Sequence, residues 1–142
     1  MATPYHLKIV TPERTVVDGP VTYIIVRSTE GEIGILAHHM QIITPLVPHI
    51  ITVYPEAGNV EQFTIGGGFL EVGNDTTVVL ADSAERASEI DVARAQLARQ
   101  RALETIAQAK PDIDLIRAKR ALQRAENRLK LAGHSAGGMT SA

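Results

Sequence analysis

The sequence predicts an α+β chain in which an N-terminal antiparallel β-sandwich or barrel is followed by a C-terminal antiparallel hairpin of two helices. Three observations carry this. Up to about Asp82, short runs rich in β-branched residues alternate with Gly, Pro and Asn/Asp turn signals. After Ala84 the period changes, and alanine, leucine and arginine recur at the three-and-four spacing of a helix face. A single proline, Pro111, then interrupts the helical stretch.

The strand runs lie at residues 7–10, 22–26, 50–54, 62–65 and 77–80. Between them stand Thr11-Pro12, Asp18-Gly19-Pro20, Glu30-Gly31, Pro55 to Asn59, and Gly73-Asn74-Asp75, each read as a turn. Pro55 to Asn59 reads as the tip of a hairpin. Close spacing with no helical pattern among the runs selects an all-β first part over alternating β and α units.

In the second part Ser88 reads as the N-cap of a first helix, with Glu89 and Asp91 in its first turn, where acids suit the helix dipole. That helix runs to about Ala109. Lys110-Pro111-Asp112 breaks it, with Asp112 placed to cap a second helix that ends near Ala132, Gly133 standing at C′. So short a connection implies antiparallel helices. Residues 1–86 thus form the β domain, 87–133 a mobile hairpin, and 134–142 a small-residue tail read as disordered.

Leu115, Ala118, Leu122, Ala125, Leu129 and Ala132 form the inner seam of the second helix. Ala95, Ala98, Ala102, Thr105 and Ala109 form that of the first. At about 25 cal/mol per Å² of apolar surface, an alanine-rich seam stabilises far less than a leucine one. The hairpin is therefore expected to depend on docking to something else. Beside the seam, Arg117, Arg120, Arg124 and Arg128 share one face, and Arg94 and Arg101 superpose on the facing helix. Close guanidiniums repel by roughly 1 kcal/mol per pair in water. They remain together only if solvated or bridged by an anion, and arginine forks suit phosphate oxygens.

At 142 residues and 44% apolar content the chain can build a core, but with 4% aromatics that core must be aliphatic. The net charge of −2 hides a split, because the acidic groups concentrate before residue 87 and the basic ones after it. The absence of cysteine excludes disulfides and thiolate metal sites and fits a reducing compartment. No apolar run approaches the roughly 20 residues of a membrane span, and no signal peptide is read at Met1-Ala2-Thr3-Pro4. The expectation is a soluble intracellular protein without direct membrane insertion.

Several suggestive patterns carry no chemistry. Gly66-Gly67-Gly68 lacks the Lys-Ser/Thr of a phosphate loop and leads into a strand at Phe69-Leu70-Glu71-Val72. His38-His39 has no third ligand at suitable spacing. No nucleophile–base grouping is present, so no catalytic residue is assigned. The basic helix lacks aromatic interleaving and follows an acidic domain, which argues against nucleic acid.

Taken together, the segments resemble the epsilon subunit of the F-type ATP synthase of bacteria and chloroplasts, over nearly the whole chain. The resemblance rests on Val10-Thr11-Pro12-Glu13, on Gly31-Glu32-Ile33-Gly34-Ile35-Leu36 followed by His39, and on Gly67-Gly68-Phe69-Leu70-Glu71-Val72. It continues in Ala84-Glu85-Arg86-Ala87, Ile90-Asp91-Val92-Ala93-Arg94-Ala95 and Arg124-Ala125-x-x-Arg128-Leu129. It implies a ten-stranded β-sandwich that binds the gamma subunit and the ring of c subunits, coupling proton-driven rotation to the catalytic head. The chain would then be a non-catalytic rotor subunit, peripheral on the cytoplasmic side of the bacterial membrane or on the stromal face of the thylakoid.

The resemblance further implies a hairpin of two states, one lying on the sandwich and one extended along gamma to the alpha/beta head, where it blocks ATP hydrolysis. ATP would be a regulatory ligand, with no cofactor or metal required. Its site would comprise Glu85, Ile90, Asp91, Arg94, Ala95, Arg101, Arg124 and Arg128. Two departures stand out: Thr105 replaces an arginine found in ATP-binding members, and Ala37 and Gln41 replace prolines around the His39 loop. The alternative reading is a free-standing nucleotide-sensing or adaptor protein of the same build.

Overall fold

The computed structural model describes residues 2–108 and 112–137. The chain divides into two compact units, Met1–Ala84 and Glu85–Ala142, each treated by itself.

One long strand organises the first unit. Along its first half β2 (Thr15–Ser28) pairs with β1 (Tyr5–Val10), Leu7 opposite Gly19 and Ile9 opposite Val17. Along its second half it pairs with β3 (Gly31–Ile35) on one side and β5 (His49–Pro55) on the other, so that Ile24 faces both Ile35 and Val53. A register shift between Val21 and Tyr23 separates the halves, and such bulges bend and twist a strand. One layer continues from β1 through β8 (Thr76–Ala81) and β7 (Gly68–Val72) to β4 (Ile42–Leu46), while β5 continues to β6 (Glu61–Ile65) in the other. β2 therefore belongs to both layers of the sandwich. β1 and β8 run parallel, and the other described pairs are antiparallel.

With β9 (Ala84–Arg86), at whose first residue the unit ends, the described residues form nine strands rather than ten. All five runs read from sequence lie within strands, and Pro55 to Asn59 does turn β5 into β6. Asp18-Gly19-Pro20 does not turn. It is extended inside β2, opposite Lys8, Leu7 and His6 of β1. Turn residues permit a turn, but here strand pairing overrides the local preference, and the Pro20 carbonyl accepts the Glu56 amide at 3.1 Å.

Period-two alternation sends Leu7, Ile9, Ile24, Ile35, Ile51, Ile65, Leu70 and Val79 inward, and each is fully buried. At roughly 1.5–3 kcal/mol per buried large side chain, these residues dominate the unit's stability. Phe63 is the one aromatic among the largest fully buried side chains, so the core is aliphatic as its composition required. The hydroxyl of Tyr5 donates to the Ile35 carbonyl at 2.7 Å. Burial, with Tyr23 nearby, pushes the Tyr5 hydroxyl above the ordinary tyrosine range, so it remains a donor. The glycine run turns β6 into β7: Gly68 has φ +145°, and a Cβ there would lie 2.0 Å from the Leu80 carbonyl oxygen.

In the second unit a single 3₁₀ turn (Ala87–Glu89) precedes α1 (Val92–Ala107) and α2 (Asp112–Gly137). Ser88 is therefore not the N-cap. Ile90 and Asp91 are extended, with ψ of 125° and 101°, and the Asp91 carboxylate accepts the Arg94 amide at 3.1 Å. Both residues are competent caps, but only Asp91 stands where the helical backbone begins. α2 also passes through Gly133, which is not among the residues of positive φ. A glycine costs about 1 kcal/mol in a helix but ends it only in a left-handed C′ conformation. Residues 134–137 consequently belong to α2 rather than to a tail. Ala109, the break at Lys110-Pro111 and the tail beyond residue 137 lie outside the described residues.

Ala95 and Ala102 of α1 and Ala118, Ala125 and Ala132 of α2 are buried, while Leu115, Leu122 and Leu129 are half-buried. The seam read from sequence is observed at these positions, with Ala98 and Thr105 half-buried and Ala109 outside the described residues. Leu131 is buried as well, outside the three-and-four series. Arg99 pairs with Glu126 of the facing helix at 3.6 Å, but both are exposed and the pair adds under about 1 kcal/mol.

His49 is the polar exception in the first unit's interior. Its Nδ1 lies 2.6 Å from the Val47 carbonyl, so Nδ1 carries the proton and donates. Its buried Nε2 has no hydrogen-bond partner among the described residues. Burial lowers its pKa and the Arg27 charge acts in the same sense, opposed by the Val47 hydrogen bond and by Glu32. The unfolded chain thus binds the His49 proton more readily than the folded one, so stability falls as pH drops below about 6.5. Urea midpoints measured from pH 8 to pH 5 will decline in the parent protein, and His49→Gln will flatten that decline.

Candidate functional site

The second unit brings most of the motif residues around one cleft of about 450 Å³, within the range of small-molecule sites. Each wall follows from a local element. The 3₁₀ turn is held by the Glu89 carboxylate, which accepts the Arg86 amide at 2.8 Å. That turn presents Glu85 and Glu89 at one end of the cleft. Asp91, fixed as the cap of α1, stands beside them, and Arg94, Ala95, Ala98 and Arg101 follow along the helix. Arg128 closes the cleft from α2, its Nε donating to Glu85 Oε1 at 2.5 Å. Both partners are about 70% covered, with side-chain exposures of 28% and 29%. A charge-assisted contact so shielded is among the stronger side-chain interactions.

A second, more open groove of about 450 Å³ adjoins the first, and Ala98 and Arg101 line both. Its floor is Ala98, Ala102, Ala118 and Ala121, and its rim is Arg101, Arg117 and Arg124. Thr105 also lines it, with its hydroxyl donating to the Arg101 carbonyl at 3.0 Å.

Of the eight residues assigned from the resemblance, Glu85, Asp91, Arg94, Ala95, Arg101 and Arg128 line the first cleft. Arg124 lies in the adjoining groove instead. Ile90 lines neither; it ends the 3₁₀ turn, its amide donating to the Ala87 carbonyl at 3.3 Å. Sequence reasoning missed Glu89, because a helix begun at Ser88 would have made it a first-turn residue. The Arg86–Glu89 spacing, an acid three residues after the turn opens, was the available signal. One Asp91 carboxylate oxygen is already committed, because it accepts the Arg94 amide at 3.1 Å.

Among the described residues, Arg94, Arg101, Arg117 and Arg124 form no ion pair, whereas Arg128 and Arg99 do. Among the described residues, the first cleft joins three carboxylates to three guanidiniums, and the charged groups of the second groove are guanidiniums. Such a surface can hold a polyanion bearing neutral hydrogen-bond donors. It offers no nucleophile, and no cluster of three metal-ligating side chains occurs among the described residues.

Residues 4–87 match the family model of the ATP synthase delta/epsilon chain β-sandwich domain, and residues 88–133 that of its long α-helix domain. The ATP synthase epsilon chain of Moorella thermoacetica is 41% identical over 128 residues, which span 90% of this chain and 96% of that one. The epsilon chain of Alkaliphilus metalliredigens is 42% identical over 132 residues, 92% of this chain and 97% of that one. Among solved structures, the fold matches a chain in the Euglena gracilis mitochondrial ATP synthase (OSCP, F1 and c-ring, rotational state 1). The TM-score is 0.75 at 27% identity, covering 89% of this chain and 80% of that one. A chain of the Tetrahymena thermophila mitochondrial ATP synthase central stalk and c-ring shares the fold, with a TM-score of 0.59 at 18% identity over 94% of this chain and 97% of that one.

The cap defines a direct test of how the site is held. Asp91→Ala leaves the Arg94 amide without its acceptor and should cost about 1 kcal/mol of hairpin stability, with Asp91→Asn close to the parent. Hydrogen exchange at the first turn of α1 will report the difference.

Proposed function

The chain belongs to the ATP synthase delta/epsilon family as an epsilon chain, and from that membership we propose that its sandwich joins gamma and the c-ring while its hairpin regulates ATP hydrolysis with ATP as ligand. Epsilon chains are stalk subunits of the complex, not catalytic ones, and this chain is a non-catalytic stalk subunit. What it contributes to ATP synthesis and ion transport is therefore contact and conformational change.

The observation that carries the regulatory reading is the paired cleft and groove of the hairpin, with four guanidiniums lacking carboxylate partners among the described residues. A bound triphosphate would replace their mutual repulsion with charge-assisted hydrogen bonds. ATP then holds the helices together in the non-inhibitory state. Loss of ATP leaves an alanine seam too weak to hold them, and the hairpin extends toward the alpha/beta head.

Two surfaces of the sandwich support its partner roles. Ile43, Phe69 and Leu80 are half or more exposed on the adjacent strands β4, β7 and β8, with Phe69 opposite Leu80. Such an apolar strip suits a helical partner such as gamma. Leu36 and Met40 are likewise exposed around the His38-His39 turn, where His38 takes φ 65°, and this loop is the contact proposed for the c-ring. No described helix is long and apolar enough to cross a membrane, so attachment on the cytoplasmic side would come through the complex.

Titrating the full chain with ATP while following amide shifts tests the ligand. Saturable shifts at residues 85–101 and 117–128 are expected, and an unchanged spectrum at millimolar ATP would reject it. Co-expression with gamma tests the partner: the two should purify as one complex, and a charge introduced at Phe69 (Phe69→Glu) should separate them. A chain that never joins gamma would return the reading to a free-standing nucleotide sensor.

A further inference from the structure

The segment of residues 36–41, which joins β3 to β4, does little to fix its own shape. Leu36 and Met40 are exposed, so burial does not hold them. His38 takes φ 65°, a left-handed conformation that is costly for a residue with a Cβ. Within the segment the His39 amide donates to the Leu36 carbonyl at 3.3 Å, and His39 Nδ1 lies 2.8 Å from the Met40 carbonyl. Such exposed bonds do not outweigh the entropy of ordering six residues. The shape therefore depends on the segment's neighbours.

Its two ends are tied to different ones. At the root, the Tyr5 hydroxyl of β1 donates at 2.7 Å to the carbonyl of Ile35, the last residue of β3. Burial keeps that hydroxyl protonated, so the bond persists at ordinary pH. Beside it Tyr23 lies across β3 at Gly34, where a Cβ would stand 2.5 Å from the Tyr23 oxygen. At the far end Gln41 Nε2 donates to Asn74 Oδ1, in the turn between β7 and β8. That turn is closed by the Gly73 amide on the Thr76 carbonyl at 3.0 Å, and its Asp75 carbonyl accepts the His6 amide of β1 at 3.4 Å. Segment, turn and β1 are thus joined pairwise. The space enclosed among them, lined by Tyr5, Leu36, His38, His39 and residues 72–77, is about 10 Å³, room for one water at most.

Resting on the c-ring contact proposed above, we propose that Tyr5, Gln41 and Asn74 are positioning residues, which hold residues 36–41 in one shape with Leu36 and Met40 displayed before the ring is met. Order present beforehand lowers the entropy lost on docking. Where only a fraction of molecules holds the competent shape, affinity falls by that fraction. The anchors thus act on docking through the segment rather than by touching the ring.

Amide shifts of residues 36–41 in the full chain measure the ordered fraction. Co-sedimentation of the gamma-bound chain with vesicles holding the c-ring measures docking, with gamma alone as the blank. Gln41→Ala should lower the ordered fraction by up to about fivefold, the loss of one net hydrogen bond, and weaken docking by the same factor. Asn74→Ala should match it, and the double variant should go no further than either, because both remove one bond. Tyr5→Phe keeps the ring, loses the donor and should release the root with a similar loss of docking. Gln62→Ala removes an exposed side-chain bond of the same kind, to Thr52 at 3.2 Å in the other layer. It should leave both readouts within about twofold of the parent. Urea midpoints near the parent value in Gln41→Ala and Asn74→Ala show that the sandwich persists. Unmoved shifts in Gln41→Ala and Tyr5→Phe, or additive effects of Gln41→Ala and Asn74→Ala, overturn the anchors. A released segment that docks as tightly as the parent overturns their positioning role while the c-ring contact stands. A parent that docks no better than gamma alone overturns the c-ring contact, and the positioning role with it.

Discussion

Alanine is the side chain on which the second unit turns. Ala95 and Ala102 on α1 and Ala118 and Ala125 on α2 are buried, and with so little side chain between them the helices lie close. Close approach sets the arginines of the two helices around shared spaces rather than on separate surfaces. The same small residues bury little area, so the pairing has little energy of its own. Guanidiniums set around shared spaces repel one another by roughly 1 kcal/mol per close pair in water, which opposes the pairing. A leucine seam would hold the helices regardless of ligand.

The sandwich works by the opposite rule. Its inward residues are large and aliphatic, and its central strand β2 takes part in both layers through a bend after Val21. Among the described residues, the unpartnered buried polar atom of that core is His49 Nε2, which bears on stability. What the unit offers a partner is on its outer face, where Ile43, Phe69 and Leu80 alternate with the inward Leu70 and Val79. Period two makes both faces from the same strands. A densely packed sandwich and a thinly seamed hairpin are the two parts of this stalk subunit.

Much of the fold was legible because it rests on periodicity. The five strand runs, the Pro55 to Asn59 hairpin, the glycine turn before β7 and the two alanine seams are all local patterns with one structural outcome. What misled was residue chemistry with two outcomes. Asp18-Gly19-Pro20 can turn or extend, and pairing with β1 extends it. Ser88 and Asp91 can each cap, and the 3₁₀ turn gives the position to Asp91. Gly133 can stop a helix or sit inside it, and its backbone stays helical. In the site, the motif spacing indicated most of the residues that line the first cleft. It could not show that Ile90 stands apart, that Glu89 lines the wall, or that Arg124 faces a neighbouring groove.

By itself the sequence determined the two-part build, the aliphatic core, the alanine seams and a surplus of arginine in the second half. These depend on composition and on periods of 2 and 3.6, which are properties of neighbours in the chain. Only the tertiary structure decided how the charges are shared. The salt bridge from Arg128 to Glu85 joins residues 43 positions apart. It neutralises one guanidinium of a row that looks uniform in sequence and leaves Arg101, Arg117 and Arg124 around a groove that has no carboxylate among the described residues. Charge pairing depends on distance in space, and only the antiparallel helices and the turn before α1 set those distances.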